Sequence, residues 1–363
     1  MGKRNFEVTM ENRIKILRSK FDEIGVDAIY LTSRVSHRYF AGFDNEDGAL
    51  LITKNGAYAF EDFRYIEVAT EKLSGTYTVV ELKGRRKEWL GEVLKKEEIA
   101  RLGFEDTAMS VSAYEGLKND ITSELVKIGT VINKMREVKT EDEILKMEKA
   151  QIITDKAFEY ILGILSTDIT ENDVAAELEY FMRKNGAEDK SFETISISAE
   201  KTSLPHGVPA NTKLKKGFFT MDFGAVVDGY HSDMTRTVCI GKADVEMKKL
   251  YNTVLDAQLK ALEYLSNGGK GCKDADWVAR EIIYRDYKGY FGHSLGHSVG
   301  LEVHEMPALS PNSSAILVPG NVVTVEPGIY IPSKYGTRIE DMVLILENGI
   351  KNFTKSPKEL IEI

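Results

Sequence analysis

The sequence predicts two domains of different class, a small α/β domain first and a larger domain of helices followed mostly by strands. Three observations carry this. The chain has 363 residues, and a domain typically takes about 150. Over about the first 130 residues short helical and strand periods alternate, the pattern of an α/β layer structure. A charged segment, Asn133 to Lys139, then leads into Thr140-Glu141-Asp142-Glu143, where Thr140 and Glu143 can satisfy each other's exposed amides and open a helix. The boundary is placed there, giving residues 1–134 and 135–363.

In the first domain Ile14, Leu17, Phe21 and Ile24 form one helical stripe that ends at Gly25, and Val26 to Leu31 reads as a strand. Ala49 to Thr53 and Ala57 to Phe60 flank Asn55-Gly56, a hairpin signal because both residues tolerate positive φ. Apolar runs at Thr78 to Leu82 and Arg101 to Phe104 enclose a helix around Trp89 and Leu94. No glycine-rich phosphate loop opens any of these helices, and Gly42 and Gly48 read as turn residues. In the second domain the helix opened by Thr140 carries Ile144, Met147, Phe158 and Ile161 near one stripe and should end near Leu165. A second amphipathic helix covers Val174 to Met182. From there the text is strand-like, apart from one long helix near Met247 to Leu265.

Composition excludes several functions. The 48 basic and 57 acidic side chains leave a formal charge of -9, and no stripe of Lys and Arg tracks a phosphate backbone, so nucleic acid is not an expected partner. Cys239 and Cys272 make no disulfide framework and match no zinc or redox spacing, which fits a reducing cytoplasm. No apolar run approaches the roughly 20 residues that span a bilayer, so no membrane is expected. The N-terminus, Met-Gly-Lys-Arg-Asn-Phe-Glu, lacks the apolar core of a signal peptide and the hydroxyl residue of a myristoylation signal. Five of the six histidines (His206, His231, His293, His297 and His304) lie in the second half, and only His37 lies in the first.

The chemistry-bearing text begins at Gly217 and runs through Asp222, Asp228-Gly229 and Asp233 to Arg236. If Asp228-Gly229 is a two-residue hairpin loop, Val227 pairs with Tyr230 and Asp233 falls opposite Gly224. Asp222 and Asp233 then become diagonal neighbours on one face. Two carboxylates held so close in an apolar hairpin repel each other, and a metal resolves the conflict; the alternative is that one of them faces solvent. The segment Phe291 to Glu305 interleaves Gly292, Gly296 and Gly300 with His293, His297 and His304, supplying close backbone approach together with neutral ligands or proton carriers. A lone buried histidine is usually a satisfied core residue, but three among glycines point to function. Glu326 ends the valine run Val322 to Val325 just before Pro327-Gly328, where it is either a surface terminus or a buried ligand. Thr337 to Leu344 reads as one strand with Arg338 and Glu340 on one face, the simple alternative being an ion pair.

In this order Asp222, Asp233, His297, Glu326 and Glu340 resemble the five metal ligands of the pita-bread metallopeptidases: methionine aminopeptidase, aminopeptidase P and prolidase. The resemblance spans residues 140 to 360 and implies an α/β N-terminal domain of the creatinase/prolidase kind before an α+β pita-bread (creatinase/aminopeptidase-like) catalytic domain. It makes Asp233 and Glu340 bridge two metals, with Asp222 completing one site and His297 and Glu326 the other. Four carboxylates and one imidazole suit two divalent ions, manganese first, with cobalt, iron or zinc as alternatives, better than a thiolate zinc site does. A water between two dications loses its proton near neutral pH and becomes the nucleophile. His304 matches the histidine that donates a hydrogen bond to the oxyanion, His206 in Leu204-Pro205-His206-Gly207 matches one at the substrate pocket, and Glu326 is the expected proton shuttle. Ser298, after His297, stands where glycine is frequent, a departure that bears on the geometry of that loop.

Methionine aminopeptidases usually lack so large an N-terminal domain, and Arg38-Tyr39-Phe40-Ala41-Gly42-Phe43 is similar to the Arg-Tyr-Leu-Thr-Gly-Phe segment of the prolidase, aminopeptidase P and creatinase branch. His293 and Arg338 match positions that bind substrate in its proline-specific members, and Tyr330 either lines the same pocket or packs behind it. The resemblance thus implies an Xaa-Pro dipeptidase or Xaa-Pro aminopeptidase acting on peptides with proline second, and a homodimer. Two rivals remain. A metal-free C–N hydrolase of the creatinase kind lacks the ligand set, and a non-enzymatic pita-bread binding module has eroded ligands and added basic segments; the five retained ligands weigh against both. Neither His231 nor His37 receives a role.

Overall fold

A computed structural model describes residues 10–45 and 47–363. The N-terminal stretch on which the signal-peptide and myristoylation readings rest lies outside the described residues. The chain divides into two compact units, with the break between Met135 and Arg136.

Among the described residues the first unit is built on six strands: β1 (Ala28–Leu31), β2 (Ala49–Thr53), β3 (Ala57–Glu61), β4 (Thr78–Glu81), β5 (Arg101–Phe104) and β6 (Glu124–Lys127). They lie in the order β4-β3-β2-β1-β5-β6, antiparallel at the centre and parallel toward both edges. Helices α1 (Met10–Arg18), α2 (Phe21–Ile24), α3 (Arg34–Ala41), α4 (Ile66–Leu73), α5 (Arg86–Lys96) and α6 (Val111–Asp120) connect them, and α7 (Val131–Glu137) follows. The expected single helix over Ile14 to Ile24 is two helices, α1 and α2. The Asn55-Gly56 hairpin forms with neither residue at positive φ, because the Thr53 hydroxyl accepts the Asn55 and Gly56 amides (3.3 and 2.8 Å) and closes the turn itself. His37 is buried, with Nε2 2.9 Å from Glu61 and Nδ1 3.0 Å from the Phe43 carbonyl, so its hydrogen bonds are met within the core of this unit.

The second unit opens with the Thr140 capping box: the Thr140 amide donates to Glu143 (2.7 Å) and the Glu143 amide to Thr140 (3.3 Å). Helices α8 (Glu141–Leu162) and α9 (Glu171–Lys184) follow, then β7 (Asp189–Lys190), β8 (Ile195–Ser198), β9 (Gly217–Phe223), β10 (Ala225–Val227), β11 (Tyr230–His231) and β12 (Met234–Ile240). Val227 pairs with Tyr230 across a turn in which Asp228 and Gly229 both have positive φ (49° and 79°), as a two-residue hairpin of this twist requires. The ladder continues in that register, setting Asp222 opposite Thr235. After β12 come α10 (Val245–Ser266) and α11 (Cys272–Tyr287), then β13 (Gly296–Ser298), β14 (Glu305–Leu309), β15 (Val322–Val325), β16 (Gly328–Ile331), β17 (Tyr335–Arg338), β18 (Asp341–Ile345) and β19 (Ile350–Asn352). The main sheets run β12-β9-β8 and β14-β13-β15-β18-β19.

Period-2 alternation decides what each face of β9 and β12 meets. Phe219, Met221, Phe223, Met234 and Val238 pack under α8 and α9. The other face carries Phe218 and Cys239, which join the core of α10, α11 and β15, and between them the buried polar run Thr220, Asp222, Asp233, Thr235 and Thr237.

Two expectations are corrected. The stretch after Leu265 contains a second long helix, α11, whose buried stripe of Cys272, Ala275, Ala279 and Ile283 is too rich in alanine to register as an apolar period. Thr337 to Leu344 is not one strand: β17 pairs with β16 and β18 with β15. The chain changes sheets at Ile339 and Glu340, because the Glu340 amide leaves the ladder to donate to the Thr235 carbonyl (3.1 Å). Beyond β19 the tail runs along β12, whose Cys239 amide donates to Ile361 (2.8 Å) while Ile363 donates back to Cys239 (2.9 Å).

Candidate metal centre

Four acids and one imidazole converge from five places along the chain. Asp222 lies near the end of β9, Asp233 one residue before β12, His297 in the middle of β13, Glu326 just after β15, and Glu340 at the junction of β17 and β18. Ligand atoms of Asp233, His297 and Glu340 lie within 4.8 Å of one another. Nε2 of His297 is 3.6 Å from Asp233 Oδ2 and 3.3 Å from Glu326 Oε1. All five line a cavity of about 780 Å³, with His206, His293, His304 and Arg338.

Electrostatics define what this cluster lacks. Burial, then the charges of Asp222 and Glu326, push the Asp233 carboxyl well above its ordinary value. Burial with Asp233 and Glu326 does the same to Glu340, and burial pushes Glu326 up to about 8. Burial, reinforced by the neighbouring His304, lowers His297 to about 4, so the imidazole is neutral near pH 7 and its short distances to carboxylates are not ion pairs. Its Nδ1 donates to the Ser298 carbonyl (3.1 Å), which leaves the Nε2 lone pair facing the acids, the tautomer a metal-bound histidine needs. Among the described residues Asp222 Oδ1 is buried without a hydrogen-bond partner. An orphaned carboxylate oxygen, a bare imidazole lone pair and three acids whose ionisation is opposed make a donor set that divalent cations satisfy.

The supporting contacts explain why these side chains stay in place. Thr324 Oγ1 accepts the His297 amide (3.1 Å) and donates to Glu326 (3.3 Å). Thr235 Oγ1 donates to Glu340 (2.7 Å) and accepts from Arg338 Nε (2.9 Å). Arg236, wholly buried, donates to the Thr235 and Glu340 carbonyls and to Asp341. On α11, Asp276 accepts the Leu295 amide (3.0 Å) and pairs with Arg280, which donates to the Phe291 and His293 carbonyls (2.9 and 2.8 Å) and so fixes the loop entering β13. None of these five residues was singled out from the sequence. A threonine inside a buried valine strand is the one available signal, at Thr324.

The remaining predicted residues sort as follows. Arg338 does not pair with Glu340; its guanidinium donates to Asp222, to the Tyr330 hydroxyl (2.6 Å), to Thr235 and to the Pro205 carbonyl. Tyr330 stands behind the wall rather than among the cavity-lining residues. Nδ1 of His293 donates to the Ser294 carbonyl (2.8 Å), so Nε2 accepts from the Tyr330 hydroxyl (3.0 Å). The His304 ring meets that of His297 edge to face, centroids 4.4 Å apart. Of the three glycines, Gly296 and Gly300 abut other atoms, since a Cβ would lie 2.0 Å from the Thr324 carbonyl oxygen and 2.5 Å from Glu305, whereas Gly292 has open space. Ser298 is accommodated within the β13 ladder, paired with Val323 and Glu305. His231 donates its amide to Gly300 (2.9 Å) and does not line the cavity.

Comparison with known proteins agrees with this architecture. Residues 145–347 match metallopeptidase family M24 and residues 13–138 match the creatinase/prolidase N-terminal domain. The chain is 39% identical to an Xaa-Pro dipeptidase of Pyrococcus furiosus over 97% of its own length and 100% of that protein's. An Xaa-Pro dipeptidase structure from Bacillus anthracis superposes with a TM-score of 0.93 at 42% identity, covering 98% and 100% of the two chains. An X-Pro aminopeptidase structure from Thermotoga maritima gives 0.89 at 34%, covering 97% and 99%. Membership of the family implies divalent metal ions, and the donor set described above fits them. With its creatinase/prolidase N-terminal domain and pita-bread catalytic domain, the chain belongs to metallopeptidase family M24.

Proposed function

We propose that the protein hydrolyses the bond between an N-terminal residue and a following proline, as an Xaa-Pro dipeptidase or Xaa-Pro aminopeptidase. The observation that carries this reading is the convergence of four carboxylates and one neutral imidazole on a cavity of about 780 Å³, in a chain whose relatives bear those names. Asp222, Asp233, His297, Glu326 and Glu340 hold two divalent ions, manganese first, with cobalt, iron or zinc as alternatives, inside a catalytic domain of residues 135–363 that follows an N-terminal domain of residues 1–134. Bound there, the ions supply Lewis acidity toward the scissile carbonyl and ease deprotonation of the attacking water.

The chain's own groups do the rest. Glu326, steadied by Thr324, takes the proton from the attacking water and delivers it to the proline nitrogen, which carries no hydrogen of its own in the peptide and leaves only once protonated. His304 donates a hydrogen bond to the carbonyl oxygen as charge develops on it, an effect typically worth about 3 kcal/mol. His206, His293 and Arg338 line the cavity, where His293 and Arg338 meet the substrate, while the Tyr330 hydroxyl joins these two from behind and Phe192, Ile195 and Val303 provide apolar wall. The same reading includes a homodimer in the cytoplasm.

The test is a substrate panel of Xaa-Pro dipeptides, Xaa-Pro-Yaa peptides and Met-initiated peptides with added Mn²⁺, repeated after EDTA and after readdition of Mn²⁺ or Co²⁺. Proline-dependent activity lost with EDTA and recovered with metal is expected. Activity that survives chelation would favour metal-free creatinase-type chemistry, and cleavage of the Met-initiated peptides alone would overturn the proline assignment.

A further inference from the structure

We propose that Glu305, held by Arg136 and Lys139, is a positioning residue that sets the place of the His304 imidazole in the active cavity. This rests on the role given to His304 above. His304 belongs to residues 299–304, which join β13 to β14 and contain no helix or strand. A six-residue link of this kind is ordinarily loose, yet a histidine that must meet a developing charge needs its ring fixed.

What fixes it is a carboxylate at the root of the link. Glu305 is the first residue of β14 and pairs with Ser298, but its side chain turns back under the link instead of lining the cavity. Oε1 accepts the Glu302 amide (3.2 Å). Gly300 packs so close that a Cβ there would come within 2.5 Å of the carboxylate, and its amide closes the turn onto the Glu302 carbonyl (3.0 Å). The link is therefore wound round the Glu305 carboxylate. That carboxylate is in turn held by two cations, Lys139 at 3.0 Å and Arg136, which also reaches Glu302 at 2.7 Å. The side chains of Glu305, Arg136 and Lys139 are at most 6% exposed, so little water competes for the pair. The cations have their own anchor, since the Lys139 amide donates to the Gly320 carbonyl (2.8 Å) and Asn321 donates to the Glu137 carbonyl (2.8 Å), both just ahead of the strand that leads into Glu326.

A merely structural ion cluster and a positioning one differ in what their removal does to His304. The experiment is a double-mutant cycle in the Mn²⁺-loaded enzyme on an Xaa-Pro dipeptide, with Glu305→Gln, His304→Ala and both together. Glu305→Gln is expected to lower kcat about tenfold with KM changed less than about twofold, and to have less than about a twofold effect once His304 is alanine. Lys139→Met, which removes one cation and leaves the carboxylate, is expected to move kcat the same way by a smaller factor, and serves if Glu305→Gln folds poorly. A second readout does not depend on turnover. In the metal-free protein labelled with ¹⁵N-histidine, the ring signal missing from His304→Ala is expected to be single in the wild type and broadened or split in Glu305→Gln. An unchanged ring signal, or a Glu305→Gln loss of equal size with and without His304, would overturn the proposal. A folded His304→Ala enzyme of full activity would instead overturn the role given to His304, leaving the ring signal to report whether Glu305 holds the side chain.

Discussion

Asp233 is the residue whose loss should separate metal binding from folding. Burial, then the charges of Asp222 and Glu326, raise its carboxyl, and Arg338 offsets this only in part. Asp233→Asn is expected to lower kcat on an Xaa-Pro dipeptide by about a hundredfold or more, while the ion-free protein becomes no less stable to urea, since one opposed charge is gone. A folded variant with full turnover would remove Asp233 from the centre. The Asp222 and Asp233 juxtaposition was legible from residues alone, because Asp228-Gly229 admits a two-residue turn and the turn dictates the register. Thr235 was not legible, and Thr324 offered only its place within a valine run. Each bridges two site residues through one hydroxyl, and a single threonine in strand text looks the same whether its hydroxyl meets a ligand or solvent. Arg338 shows the same limit: its charge invited a carboxylate, but only the packed chain says that the carboxylate is Asp222, 116 positions away.

Elements were legible in proportion to how local their cause is. The capping box at Thr140 and the helix it opens depend on neighbours three and four residues apart, and both appear, the helix ending at Leu162 instead of near Leu165. Helix α11 was missed because alanine carries little apolar signal, yet it supplies Asp276 and Arg280, which fasten the segment leading to His297. Asp276→Ala is expected to cost about 3 kcal/mol by urea denaturation, because it strands the Arg280 guanidinium together with the Leu295 amide; a loss under about 1 kcal/mol would show that the helix does not hold that segment. The split between β17 and β18 depends on the Thr235 carbonyl capturing the Glu340 amide, a contact between strands about a hundred residues apart. No short window contains that information.

For the whole molecule, the acid cluster sets how stability responds to pH and metal. Asp233, Glu340 and Glu326 have raised values in the ion-free fold, so the folded chain binds more protons than the unfolded chain above the ordinary carboxylate range, and stability is lost as pH rises toward the folded values. His293 and His297, both lowered to about 4, oppose this below the ordinary histidine value near 6.5. The carboxylates therefore act alone from about pH 6.5 to 8. Thermal unfolding of the ion-free protein should fall across that window, and Mn²⁺ at about a hundred times its Kd should restore roughly 2.7 kcal/mol at pH 8; a midpoint indifferent to both would contradict the electrostatics of the centre. Architecture at this scale was legible as two domains in order, while the pairing of sheets was not, since strand order depends on contacts that no period reveals. One such pairing also governs how the molecule behaves in company. Strand β12 ends its sheet, and the C-terminal tail lies along it, exchanging hydrogen bonds with Cys239 and Gly241. The tail acts as a cover for a row of amides and carbonyls that would otherwise bind any extended peptide. A copy shortened before Lys358 would carry a sticky seam on its catalytic half, and in a concentrated solution the nearest strand to fill that seam would come from another such molecule.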